Sequence, residues 1–140
     1  MFKDFKKYNF SVIDVTMSAI PEMTVNLNGI TINSKALDVL GNPDYIKAMI
    51  DVENKAFAIQ TASSKDDRAM KISGTGKSGG YSGTCSVIRA TLWRLMAESW
   101  KEGMRYRMKG VVFPEAKAIV FDLTAAEELP PSKAAKQYKE

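Results

Sequence analysis

The chain has 140 residues, of which 45% are hydrophobic and 26% charged, and its formal net charge is +4. That composition is ordinary for a soluble globular protein, and the length fits one domain or two small fused units sharing a core. Histidine is absent and Cys85 is the single cysteine, which excludes Ser–His and Cys–His catalysis, imidazole or multi-thiolate metal sites, and any internal disulfide.

Met1 to Lys7 carries charge with no apolar signal-peptide core behind it, and no apolar run approaches the roughly 20 residues that a membrane span needs. A cytoplasmic location without membrane contact is expected. Phe10 to Val15 reads as a strand. Val25, Leu27, Ile30 and Ile32 then alternate with polar residues around Asn28-Gly29, a pair suited to a two-residue hairpin loop that places Leu27 opposite Ile30 and Val25 opposite Ile32. Asn33 or Ser34 is placed to cap a short helix ending at Leu40. Ala36, Leu37 and Leu40 give that helix an apolar stripe, and Gly41 suits its left-handed exit. Tyr45–Ile50 and Ala56–Gln60 read as a hairpin. Together these form a first unit over 10–72.

A Gly/Ser loop follows over 73–84. Its Gly74-Thr75-Gly76-Lys77-Ser78 invites a phosphate-loop reading, but that motif needs a glycine five positions before Gly76, where Lys71 stands, and a helix after it, where Gly79-Gly80-Tyr81 stands. A flexible connector is the plainer reading, with Lys77 retained as an anion-contacting candidate.

The second unit is expected over 85–128. Cys85 to Ile88 reads as a short strand and Arg89 to Glu102 as a helix, with Leu92, Leu95, Met96 and Ser99 on one face and Trp93 and Trp100 flanking it. Gly103 ends the helix. Met104–Val112 and Ala118–Leu123 read as a final hairpin. Its turn, Pro114-Glu115-Ala116-Lys117, parallels Val52-Glu53-Asn54-Lys55 of the first unit. The expectation is an α+β single domain over 1–140, built as two fused strand–helix–hairpin units about a pseudo-twofold axis with a small barrel-like core. Residues 129–140, opening on Pro130-Pro131, read as a tail.

Residues 1–70 carry a net charge of −1 and residues 71–140 a net charge of +5. The densest cations are Arg105, Arg107 and Lys109, which strand periodicity puts on one face, with Met104, Tyr106 and Met108 on the other. Such a stripe, extended by Lys77, Arg89 and Arg94, could neutralise nucleic-acid phosphates; the plain alternative is a solvated face neutralised by nearby glutamates. Asp66-Asp67 and Glu127-Glu128 read as solvated turn or tail carboxylates before they read as an acid/base pair. Trp93 and Trp100 read as packing residues before base-stacking platforms. Cys85 has no general base beside it and reads as a partly buried strand residue.

The stretch Leu27–Gly41, followed by Tyr45–Ile50 and Val52–Ile59, resembles the AbrB-like transcription regulators and antitoxins: a turn, an apolar strand running into a helix cap, a short helix closing on Leu-Gly, and a hairpin. The resemblance implies a swapped-hairpin barrel, here made within one chain, and DNA binding by basic residues near the first hairpin and short helix. The chain departs from the pattern there, with Ile30 after the turn, Asn33 at the usual proline and Leu37-Asp38 where arginines are common.

The leading expectation is a non-catalytic nucleic-acid-binding regulator or accessory protein without a cofactor, forming a homo-oligomer. Its expected contacts are Arg105, Arg107 and Lys109, then Lys77, Arg89 and Arg94. The alternative is an oligomeric scaffold or protein-interaction module.

Overall fold

A computed structural model describes residues 9, 20–72 and 80–131. The expected strand over Phe10–Val15, Lys77 and most of the Gly/Ser loop lie outside those residues. The first described strand, β1 (Glu22–Val25), pairs antiparallel with β2 (Ile30–Ile32). Asn33 then caps α1 (Ser34–Val39): its Oδ1 accepts the Ala36 N–H at 3.0 Å and the Glu22 N–H at 3.0 Å, while its Nδ2 donates to the Ile20 carbonyl at 2.7 Å. A six-residue helix is unstable alone; Ala36, Leu37 and Leu40 anchor it by burial, and Gly41 leaves it at φ +85°.

β3 (Tyr45–Asp51) and β4 (Ala56–Ala62) form a fully registered hairpin, and β5 (Met70–Lys71) adds to the start of β3. After β6 (Tyr81–Gly83) comes α2 (Ser86–Leu95), then β7 (Arg105–Phe113), β8 (Ala118–Asp122) and β9 (Glu127–Leu129). A 3₁₀ turn over Leu123–Ala125 separates β8 from β9. Among the described residues no helix is long and apolar enough to cross a membrane.

The arrangement of two fused units about a pseudo-twofold axis is not what these elements build. They form one curled antiparallel sheet, a half-barrel, in the order β5-β3-β4-β8-β7-β1-β2-β6, with β9 beside β7. Strands from the two expected units interleave: β1 pairs with β7 and β4 with β8. The local elements are too small to bury their apolar faces separately, so the inward faces of both stretches contribute to one core containing Met23, Ile32, Leu92, Met108 and Phe121.

Several boundaries also differ from expectation. The first hairpin pairs Val25 with Ile30 and Met23 with Ile32, and Asn26 N–H bonds the Gly29 carbonyl at 2.7 Å, so Leu27-Asn28 forms the tip. Gly29 is needed for close approach, not for positive φ: a Cβ there would overlap the Gly83 carbonyl oxygen of β6 and lie 2.9 Å from Thr84 Cα. Cys85 is not in a strand; it precedes α2 at φ 37°, and the real strand, β6, lies in the expected loop. The helix ends at Leu95 and not at Glu102, while Leu129, assigned to the tail, belongs to β9.

β7 is the hub. Its first half pairs with β1 on one side and β9 on the other, and its second half pairs with β8. Gly110 sits at the changeover, where its N–H donates to the Pro21 carbonyl at 2.8 Å. A Cβ there would overlap Ile119 Cγ2 and come within 2.9 Å of Phe121 Cε1, and both side chains are fully buried. Gly110→Ala is therefore expected to cost about 1–3 kcal/mol through overpacking. A lower denaturant midpoint with unchanged slope would register it; an unchanged midpoint would show that the strand yields at this point.

Candidate functional site

The strand alternation in β7 is as expected. Tyr106 and Met108 are buried, while Arg105 and Arg107 are half-exposed and Lys109 exposed on the opposite face. That face is not a bare cationic stripe. Arg107 donates through one guanidinium nitrogen to both oxygens of Glu127, at 2.9 and 2.7 Å, and its Nε lies 3.9 Å from Glu22. Arg105 Nε donates to the Pro130 carbonyl at 2.8 Å. Lys109 sits opposite Glu22 across the β1–β7 ladder.

The helical arginines have separate roles. Arg89 Nε donates to the Asn26 carbonyl at 2.8 Å, tying α2 to the first hairpin, and its guanidinium lies 5.4 Å from the centre of the Trp93 ring. Arg94 is exposed in the last turn of α2, where a cation suits the helix C-terminus. The six proposed contacts thus do not converge: three lie on the β7 face, two on α2 and Lys77 outside the described residues.

The aromatic residues form an internal cluster. Trp100 stacks on Tyr106 with ring centres 4.5 Å apart and planes 5° from parallel, and Trp93 meets both rings edge-on at 5.4 and 5.7 Å. Trp100 and Tyr106 are buried, so these faces are closed to a stacking base. The Tyr106 hydroxyl accepts the Lys101 N–H and donates to Glu128 Oε1 at 2.9 Å. Burial pushes this phenol above the usual tyrosine range, and the Glu128 carboxylate adds to the rise.

Nor do the carboxylates form an acid/base pair. Glu127 and Glu128 point to different partners, Arg107 and Tyr106. Asp66 Oδ2 accepts the Ser63 N–H at 2.7 Å in a turn. Asp51 accepts from the Asn54 side chain at 2.8 Å and from its backbone N–H at 3.1 Å; these bonds hold its carboxyl below the usual range. No group of three or more potential metal-ligating side chains occurs among the described residues.

What sequence reasoning passed over is apolar. Continued along β7, the face bearing Arg105, Arg107 and Lys109 reaches Val111 and Phe113, which are 62% and 49% exposed. Register carries the same row across the sheet: Val111 pairs with Val120, Val120 with Ala58, and Ala58 with Met49. Met49 is 40% exposed. One outward sheet face thus changes from charged at one end of β7 to a four-strand apolar row at the other. The signal was present in the parity of positions 105 to 113, whose odd members read Arg, Arg, Lys, Val, Phe.

The row ends at an open edge. Within the described residues β5 pairs only with Tyr45 and Ile46, leaving Lys47–Asp51 of β3 without a strand partner on that side, where Asp67 and Arg68 border a shallow hollow with Lys47, Ala48 and Met49. Ala48, Met49, Ile50 and Asp51 are all exposed.

No protein-family model, curated protein or solved structure matches the chain.

Tyr81 permits a pH test of the fold around β6. Its hydroxyl lies 3.1 Å from Cys85 Sγ, and burial first, then Cys85, pushes its pKa from 10.0 to about 12. The folded state prefers the neutral phenol, so this stabilisation is intact below about pH 10 and is lost as pH rises towards 12. Denaturant midpoints measured across that interval should fall in the wild type and fall less in Tyr81→Phe; identical declines would remove Tyr81 from the account.

Proposed function

We propose that the protein is a non-catalytic, self-associating scaffold module whose contact surface is the outward apolar row of the β3-β4-β8-β7 sheet. The observation carrying this reading is the row itself: Met49, Ala58, Val120 and Val111 adjoin across four strands, with Phe113 two positions beyond Val111. Isolated exposed apolar residues are normal, but contiguous ones on one face mark contact surfaces. Met49 suits adaptable packing of this kind. Trp100, by contrast, serves the interior.

Nucleic-acid binding, expected from the +5 second half and from the AbrB-like resemblance, draws less support. Arg107 is neutralised by Glu127, and Arg89 is occupied within the fold. Among the described members of the expected set, Lys109, Arg94 and Arg105 remain for phosphate contact. A polyanion site gives affinity that falls steeply with salt, so the same preparations separate the two readings.

Sedimentation velocity over a wide concentration range should show the 15.5 kDa chain associating, with little change between low and moderate salt. Val111→Thr with Phe113→Thr keeps strand propensity while removing apolar surface. That variant should fold normally and associate at least several-fold more weakly. A wild type that stays monomeric throughout, or salt-sensitive binding to DNA or RNA lost on Lys109→Glu, would overturn the scaffold reading.

A further inference from the structure

We propose that the open edge of β3 is a homodimer interface, pairing antiparallel with β3 of a second copy about a twofold axis at Met49. This rests on the self-association proposed above and names its geometry.

The backbone has the required phase. Ile72 N–H bonds the Asp44 carbonyl at 2.9 Å, so Asp44 points towards β5. Antiparallel alternation then points Ala48 and Ile50 out of the open edge, and Met49 back towards β4. Thr61 N–H bonds the Lys117 carbonyl and Leu123 N–H the Lys55 carbonyl, which independently fixes the same phase through the β3–β4 register. Centred on Met49, the two edges place Ala48 opposite Ile50 of the second copy in reciprocal hydrogen-bonded pairs. Met49 faces its own counterpart in a non-hydrogen-bonded pair.

The side chains agree with that register. Lys47 falls opposite Asp51 of the second copy, twice by symmetry, so the segment Lys47-Ala48-Met49-Ile50-Asp51 is charge-complementary to itself. Asp51 is bonded to Asn54 but retains lone pairs for a lysine. On the outward face, the row Val111, Val120, Ala58, Met49 continues through the axis into the same row of the second copy. A register shifted by one residue loses both the ion pairs and this continuity. Edge charges such as Lys47 also serve to discourage strand pairing. Here each has an opposite charge waiting in the paired copy.

Two measurements test it. In the full chain carrying Cys85→Ser, Met49→Cys should yield a covalent dimer on mild oxidation, because non-hydrogen-bonded partners lie about 4.5 Å apart at Cα, within disulfide range. Lys47→Cys should yield little. Separately, Lys47→Asp alone and Asp51→Lys alone should each weaken dimerisation roughly tenfold, since each sets two like-charge pairs opposite one another. An equimolar mixture of the two should recover it, because every cross-edge pair is then opposite in sign. The lost Asn54 contact in Asp51→Lys is common to its own dimer and the mixed one. No recovery in the mixture, or equal cross-linking from Lys47→Cys, overturns the edge pairing. If the wild type nevertheless associates and Val111→Thr/Phe113→Thr abolishes it, the scaffold reading stands without this interface; a wild type that never associates sinks both.

Discussion

Everything in this fold passes through the changeover of β7 at Gly110. One nine-residue strand serves two sets of neighbours, β1 and β9 before the glycine and β8 after it. The switch requires the backbone to pass beneath Ile119 and Phe121 with no side chain between. Close packing leaves no slack there. The crossing joins strands from both halves of the chain in one sheet. The expected duplication fails for the same reason: similar local strings of strand, helix and hairpin are used to complete one another's sheet.

The crossing also decides what reaches the surface. β7 keeps its alternation through Gly110, so its outward face runs unbroken from Arg105 to Phe113. At the first end β1 and β9 supply Glu22 and Glu127, which answer Arg107. At the second end the neighbours are β8, β4 and β3, which supply Val120, Ala58 and Met49. Arg107 is therefore satisfied within the fold while apolar surface is left open. That asymmetry favours association over polyanion binding as the reading of this face.

Local chemistry was legible in the chain and remote chemistry was not. Asn33 as cap and Gly41 as exit follow from their immediate neighbours, and both are found. Gly29 was misread because its reason lies across the sheet at Gly83. The start of α2 was missed because Cys85 precedes it in a left-handed conformation with no side-chain cap to announce it. Arg105, Arg107 and Lys109 were correctly put on one face, but Glu127 stands 20 residues from Arg107 and was assigned to no strand. Val111 and Phe113 obey the same alternation, two and four positions beyond Lys109.

In the proposed dimer, β3 presents an edge without a strand partner that a second copy covers. Amide hydrogen exchange at single residues tests it most directly. The Ala48 and Ile50 N–H groups should exchange readily in dilute protein and become protected as concentration rises, while Met49, bonded towards β4, stays protected throughout. Ala48 and Ile50 amides whose exchange does not change with concentration, in a protein that associates over the same range, would contradict the account.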